Sequence, residues 1–230
     1  MYGWCVIRSE PSRLTSDRVH GCQIHETAFY TVILDRSGGK MESGDRRMCL
    51  ANPNLFIVSG GPGSGKSTVL HELAGRGFSF APEVARQIIQ EQIEAGGTAL
   101  PWVDRESYTR LMLQRSIESY LEYTPALKPM FSDRGIPDTL CYARLIGLRG
   151  DGFIRDACRR YRYAPLVFLA PPWKEIYETD NERKQDFAEA ERTFDQMAEV
   201  YRQCGYALSE LPKATPAARA AFILRQLHLD

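Results

Sequence analysis

Residues 55–70 read LFIVSGGPGSGKSTVL, an apolar run that passes through a glycine-rich turn into helix-forming residues. Gly60, Gly65, Lys66 and Ser67 occupy the fixed positions of the pattern GxxxxGK[ST]. Glycines at 60, 61, 63 and 65 admit backbone conformations and close approaches that a Cβ would block, so successive amide N–H groups can converge on one anion. The positive end of the following helix adds to that field. Lys66 brings a mobile ammonium for β- and γ-phosphates, and the Ser67 hydroxyl can ligate Mg²⁺. The helix after the turn carries Val69, Leu70 and Leu73 on one face and stops at Gly75-Arg76-Gly77. The stretch is thus a P-loop set between strand and helix, with Gly60, Gly61, Gly63, Ser64, Gly65, Lys66, Ser67 and Thr68 as the nucleotide-binding residues.

From residue 54 onward, short apolar runs alternate with amphipathic helices, the pattern of a parallel sheet with crossover helices. The strands read as 55–59, 78–81, 130–133, 166–170 and 206–208. The fold class is therefore α/β, a three-layer P-loop NTPase domain over 54–230 with a parallel five-stranded sheet flanked by helices. Two helical stripes stand out as core faces: Phe187, Ala190, Phe194, Met197, Tyr201 and Cys204, then Ala217, Ala220, Ala221, Leu224 and Leu227. Residues 1–53 are rich in Arg, Ser, Gly and Asp, with one strand-like run at 28–34, and read as an N-terminal extension, poorly structured or a short hairpin.

The chain has 230 residues, enough for one sizeable core, and 29 basic against 29 acidic side chains. No net field draws it to nucleic acid or an anionic membrane, and no nucleic-acid partner is expected. No apolar run approaches the roughly 18 residues that span a bilayer, and the start lacks the basic and apolar pattern of a secretory signal, so a cytoplasmic location is expected. Six cysteines occur singly, without a CxxC pair, and read as reduced thiols.

A P-loop enzyme also needs a carboxylate at a neighbouring strand end to hold the metal's water shell, and Asp133 closes the run PMFSD. Arg134 follows it, where hydrolysing ATPases often carry a water-polarising Glu; the Asp-Arg pair resembles instead that of small-molecule P-loop kinases, in which the arginine sits near the transferring phosphoryl group, and the other reading of Asp133 and Arg134 is a surface ion pair. Glu83 lies just past the second strand, at the end of the sheet where ligands bind, and could orient or deprotonate an acceptor hydroxyl. It equally suits the first turn of a helix after Pro82. Arg86 shares that helix face. Arg183 and Lys184 open the long helix after 171–182 and are placed to act as lid cations, or as a solvated helix start. Arg159, Arg160 and Arg162 read as a solvated face, and no histidine pairs with a nucleophile.

Taken together, FIVSGGPGSGKST (56–68), PEVARQIIQEQ (82–92), LPWVDRESY (100–108), FSDRGIPDTLCY (131–142), VFLAPPWKEIYETDNERKQDF (167–187) and GYALSELP (205–212) resemble the NadR-like AAA-domain ATPases. That family of P-loop proteins includes the ribosylnicotinamide kinase domain of NadR, and the resemblance covers about 54–230. It implies ATP on the P-loop, Mg²⁺ held through Ser67 and Asp133, and lid contacts from Arg183. It also implies an acceptor pocket lined by Glu83, Arg86, Arg134 and Asp138. The expected reaction transfers the ATP γ-phosphoryl group to a small hydroxyl-bearing acceptor such as a nucleoside or riboside. Lys66, Glu83, Asp133, Arg134 and Arg183 are its catalytic set. The alternative is a nucleotide-dependent switch that binds a protein or lipid partner.

Overall fold

A computed structural model describes residues 49–124, 126–176 and 187–230. The hairpin-like run at 28–34, Arg183 and Lys184 lie outside the described residues. In chain order the elements are β1 (Leu50–Ala51), β2 (Leu55–Gly60), α1 (Lys66–Gly75), β3 (Phe80–Ala81), α2 (Val84–Glu94), α3 (Arg105–Tyr123), β4 (Met130–Asp133) and α4 (Ile136–Leu145). These are followed by α5 (Gly152–Arg160), β5 (Tyr161–Arg162), β6 (Leu166–Ala170), a 3₁₀ turn at Lys174–Ile176, α6 (Phe187–Gln203), β7 (Ala207–Glu210) and α7 (Pro216–Gln226).

Five strands form one parallel sheet in the order β3-β4-β2-β6-β7. The strand that feeds the glycine turn is central, with neighbours on both sides. In register, Val58 faces Asp133 of β4 and Ser59 faces Leu169 of β6. The chain leaves β2 for the β3 edge, returns to β4, and then crosses β2 to β6. Its direction of travel reverses at β2, which opens a crevice at the carboxyl ends of the strands.

Alternation along the strands divides the core in two. Leu55 and Ile57 with Val167 and Leu169 pack against α3, α4, α5 and α6. Val58, Phe131, Phe168 and Ala170 point the other way, onto Val69, Leu70 and Leu73 of α1 and Ala220, Ile223 and Leu224 of α7. Each fully buried side chain of this size contributes about 1.5–3 kcal/mol, so the helices are held chiefly by these two faces. The α7 face is offset from the expected stripe. Arg219, Ala220, Ile223 and Leu224 are buried, whereas Ala217 is exposed.

Two expected strands start late for one physical reason. Phe78 N–H donates to the Leu73 carbonyl and Tyr206 N–H to the Tyr201 carbonyl, closing the ends of α1 and α6 behind Gly77 and Gly205. The chain is free to pair only from Phe80 and Ala207 onward. A second, two-stranded parallel sheet was not expected: Leu50 pairs with Tyr161 and Ala51 with Arg162. Arg162 is not part of a solvated face either. Its guanidinium donates to the Cys204 carbonyl at 2.7 Å and the Cys158 carbonyl at 3.3 Å, and it lies 4.1 Å from the Tyr206 ring centroid. No helix among the described residues is long and apolar enough to cross a membrane, and Cys49, Cys141, Cys158 and Cys204 are free thiols.

Candidate functional site

The glycine turn leaves the carboxyl end of β2 and ends as the cap of α1. Gly60 has φ +144°, and a Cβ there would fall 2.5 Å from the Ala170 carbonyl oxygen, so β6 could not pack so closely against any other residue. Gly65 caps α1 in the left-handed region at φ +77°. Gly61, expected to be required for the same reason, has open space where its Cβ would stand and no positive φ. Ser64 Oγ donates to the Gly61 carbonyl at 2.8 Å, and Lys66 Nζ donates to the same oxygen at 3.1 Å. Thr68 Oγ1 donates to the Gly65 carbonyl at 2.8 Å, and Ser67 is exposed. Burial, then the nearby Arg134 guanidinium, draws the Lys66 ammonium down to about 8.

Glu83 stands at the N-cap of α2, one position earlier than the first-turn reading placed it. Its Oε1 accepts from Arg134 Nε at 2.6 Å. Burial pushes this carboxyl upward, but Arg134 and then Lys66 outweigh it and hold Glu83 at about 2. Arg134 also donates through Nη1 to Asp138 at 3.3 Å. Its backbone sits at φ +71°, uncommon for a residue with a Cβ. Its amide donates to the Val58 carbonyl at 3.0 Å, and its carbonyl accepts from Ser132 Oγ at 2.6 Å, so the surroundings fix the strained turn. Burial lowers the Arg134 pKa, but Glu83, Asp138 and Asp133 reverse this and hold it above its ordinary value.

Glu83, Arg86 and Arg134 line one cleft of about 780 Å³ together with the P-loop residues 62–68. Gln90 and Tyr108 also line it, as do Trp173, Glu175 and Ile176 after β6 and Thr215, Pro216 and Arg219 from the start of α7. Its volume is in the range of small-molecule sites.

Asp138 is a correction. The resemblance places it in the acceptor pocket, whereas the structure buries it behind Arg134, where it accepts from Ser59 Oγ at 2.6 Å, Gly135 N–H at 2.8 Å and the Tyr201 hydroxyl. It ties β2, α4 and α6 together and does not line the cleft. Asp133 is close enough for its charge to act on Lys66 and Arg134. It does not line the large cleft, but borders a separate hollow of about 20 Å³ beside Ser116 and Ser132. Burial raises its pKa, and its Oδ1 is buried without a hydrogen-bond partner. An exposed Ser67 hydroxyl on the first turn of α1 and a carboxylate oxygen with unused capacity fit a hydrated Mg²⁺. Arg183 lies outside the described residues.

Sequence reading missed Arg219. It is 2% exposed and donates from Nη1 to the Ser64 carbonyl at 2.9 Å. A signal was present in the spacing, since 219 and 223 are one helical turn apart and place a cation on the α7 core face.

Solved structures share this architecture. A NadR protein in complex with NR superposes with TM-score 0.58 at 17% identity, covering 76% of this chain and 50% of that one. The chain thus spans about half the length of that NadR chain. Thymidylate kinase from Ehrlichia chaffeensis gives TM-score 0.53 at 16% identity, covering 77% of this chain and 99% of the kinase. Deoxyadenosine kinase from M. mycoides with bound dATP gives 0.50 at 12%, covering 76% and 99%. No curated protein matches the sequence. At such identities these likenesses establish the fold, that of P-loop kinases. The family is settled by the sequence itself, because the AAA domain model matches residues 55–219, from the first residue of β2 to Arg219 in α7, and the chain belongs to the AAA-domain family of P-loop proteins.

Proposed function

We propose that the protein binds ATP with Mg²⁺ and transfers the γ-phosphoryl group to a small hydroxyl-bearing acceptor, a nucleoside or riboside being the first candidate. The observation that carries this reading is the single cleft in which a P-loop meets the Glu83–Arg134 pair. A plain hydrolase needs a site for water; here the phosphate cradle opens onto a wall of Glu83, Arg86, Gln90 and Tyr108, polar groups suited to a hydroxylated molecule. The kinase architecture of the neighbouring structures, and the NR and dATP bound in two of them, support the same choice.

In this reading the P-loop amides and Lys66 hold the β- and γ-phosphates, and Ser67 ligates Mg²⁺, with Asp133 acting through the metal's water shell. The metal, when bound, neutralises charge that develops on the phosphate oxygens. Arg134 is anchored by Glu83 and Asp138 through Nε and Nη1, which leaves Nη2 donors on a fixed guanidinium for the transferring group. Glu83, with its pKa held down at about 2 by Arg134 and Lys66, is a weak base, so its contribution is to accept a hydrogen bond from the acceptor hydroxyl and aim it. A loose phosphoryl-transfer transition state needs little more from a base. Arg183 is proposed as a lid cation on the sequence argument alone.

The test measures ADP release with ATP·Mg²⁺ against a panel of nucleosides and ribosides, with the phosphorylated product identified by mass. Stimulation by one acceptor is expected. Release that no acceptor alters would sink the transfer reading and leave an ATPase or a nucleotide switch.

A further inference from the structure

Arg219 is the one cation of the cleft whose charge the described residues leave unanswered. Arg134, lining the same cleft, meets Glu83 at 2.6 Å and Asp138 at 3.3 Å. Arg86 has partners of its own, and Lys66 has the charges of Glu83, Asp133 and Asp138 nearby. Arg219 is 2% exposed and lines the cleft, yet its Nη1 donates to the Ser64 carbonyl, its Nε is buried with no hydrogen-bond partner, and no carboxylate among the described residues reaches it. Burial alone pulls its pKa down, with no charged neighbour to offset it. A buried guanidinium without a counter-charge is unfavourable and persists where something else supplies the charge. What surrounds it is itself electropositive, the amides of the glycine turn and the amino end of α1. The missing partner is therefore an anion that enters the cleft.

Position narrows which part of that anion. A Cβ on Gly65 would lie 2.9 Å from Arg219 Nη1, 3.2 Å from Ile176 Cδ1 and 3.6 Å from Thr68 Oγ1, so all three flank Gly65 on one side. Lys66 instead turns back to the Gly61 carbonyl, towards the charges of Arg134 and Glu83. If the γ-phosphate faces Glu83 and Arg134, as the proposed function requires, Arg219 stands at the opposite end of the phosphate chain. Trp173, Ile176 and Pro216 line the same cleft and offer apolar walls for a base, Ile176 on the same side of Gly65 as Arg219. We infer that Arg219 is a nucleotide-binding residue that pairs with the α-phosphate, coupling α7 to the occupied P-loop through its bond to the Ser64 carbonyl.

The experiment titrates the full chain, Arg219→Lys and Arg219→Met with ADP, ADPβS and the two diastereomers of ADPαS. Melting of each ligand-free protein is recorded alongside. Both variants are expected to fold and to bind ADP and ADPβS roughly 10- to 100-fold more weakly. For one ADPαS diastereomer, whose sulfur replaces the paired oxygen, the penalty should shrink to a few-fold. An undiminished ADP affinity in a folded variant, or an equal penalty for all four ligands, overturns the inference. Unfolding of both variants without ligand also overturns it, since Arg219 would then be a fold determinant alone. Wild-type ADP binding with acceptor-dependent ADP release would, in any of those cases, leave the proposed function standing, whereas a wild-type chain that binds no nucleotide defeats both.

Discussion

Two titrating groups carry opposite pH signatures. Lys66 has its ammonium lowered from 10.5 to about 8 in the ligand-free protein, so the charge that should meet phosphate is lost as pH rises through about 8. ADP affinity is expected to be flat just below that pH and to weaken above it, and in Lys66→Ala to be at least about 100-fold lower with no such bend. Calorimetric titration from pH 7 to 9.5 reads both effects. Glu83 is depressed from 4.5 to about 2. Its contribution to stability is fully present above pH 4.5 and is lost as pH falls from there towards 2, because the unfolded chain then binds the proton that the folded one refuses. Glu83→Gln should cost on the order of 2 kcal/mol at neutral pH, measured by urea unfolding. The gap to wild type should close on acidification below pH 4.5; a gap independent of pH would show that the Arg134 pair is not its source.

At the scale of elements, the ties that sequence could not reveal are polar and long-range. Tyr201 was legible as a core position of α6, but its hydroxyl has a separate task, bonding Asp138 and so linking α6 to α4, to Ser59 of β2 and to Arg134. Tyr201→Phe keeps the packed ring and should cost about 1–2 kcal/mol, with a fall in kcat larger than any rise in KM for ATP, because Arg134 loses part of its anchorage. Loss of stability with kcat intact would confine Tyr201 to the fold. Arg162 presents the reverse lesson. Three arginines close together in sequence looked like one solvated face, yet Arg159 is exposed while Arg162 turns in to satisfy the last carbonyls of α5 and α6 and cover Tyr206. Arg162→Ala should therefore lower stability by roughly 2 kcal/mol, while Arg159→Ala should leave the melting temperature within about a degree.

At the scale of the molecule, what could be read from sequence is what local pattern determines. The apolar runs of β2, β4 and β6 and the glycine turn are each contiguous, and their reading needs no knowledge of distant residues. The second sheet was hidden because Leu50–Ala51 finds its partner at Tyr161–Arg162, more than a hundred residues away, and neither segment has a strand's length or alternation. Its consequence is a boundary question that can be settled by truncation. Asn52 is 3% exposed and donates through Nδ2 to the Tyr123 and Thr124 carbonyls at 3.2 and 3.3 Å, while its amide donates to the Arg162 carbonyl at 2.8 Å. The Tyr120 hydroxyl in turn donates to the Leu50 carbonyl at 2.9 Å. A chain beginning at Asn54 would lose the β1 pairing, both Asn52 side-chain bonds to the end of α3 and the Asn52 amide bond to the Arg162 carbonyl, although the Tyr120 hydroxyl keeps the Arg162 carbonyl and the Tyr123 carbonyl keeps the Ala126 amide, and it should be less stable by about 3 kcal/mol or more. A chain beginning at Met48 retains every one of these bonds, and since the cleft is walled by residues 62–219 it should bind ADP as the full chain does. Equal melting temperatures for the two truncated chains would show that β1 and Asn52 are ornament to the domain; a weaker ADP affinity in the longer one would show that residues before 48 contribute to the site.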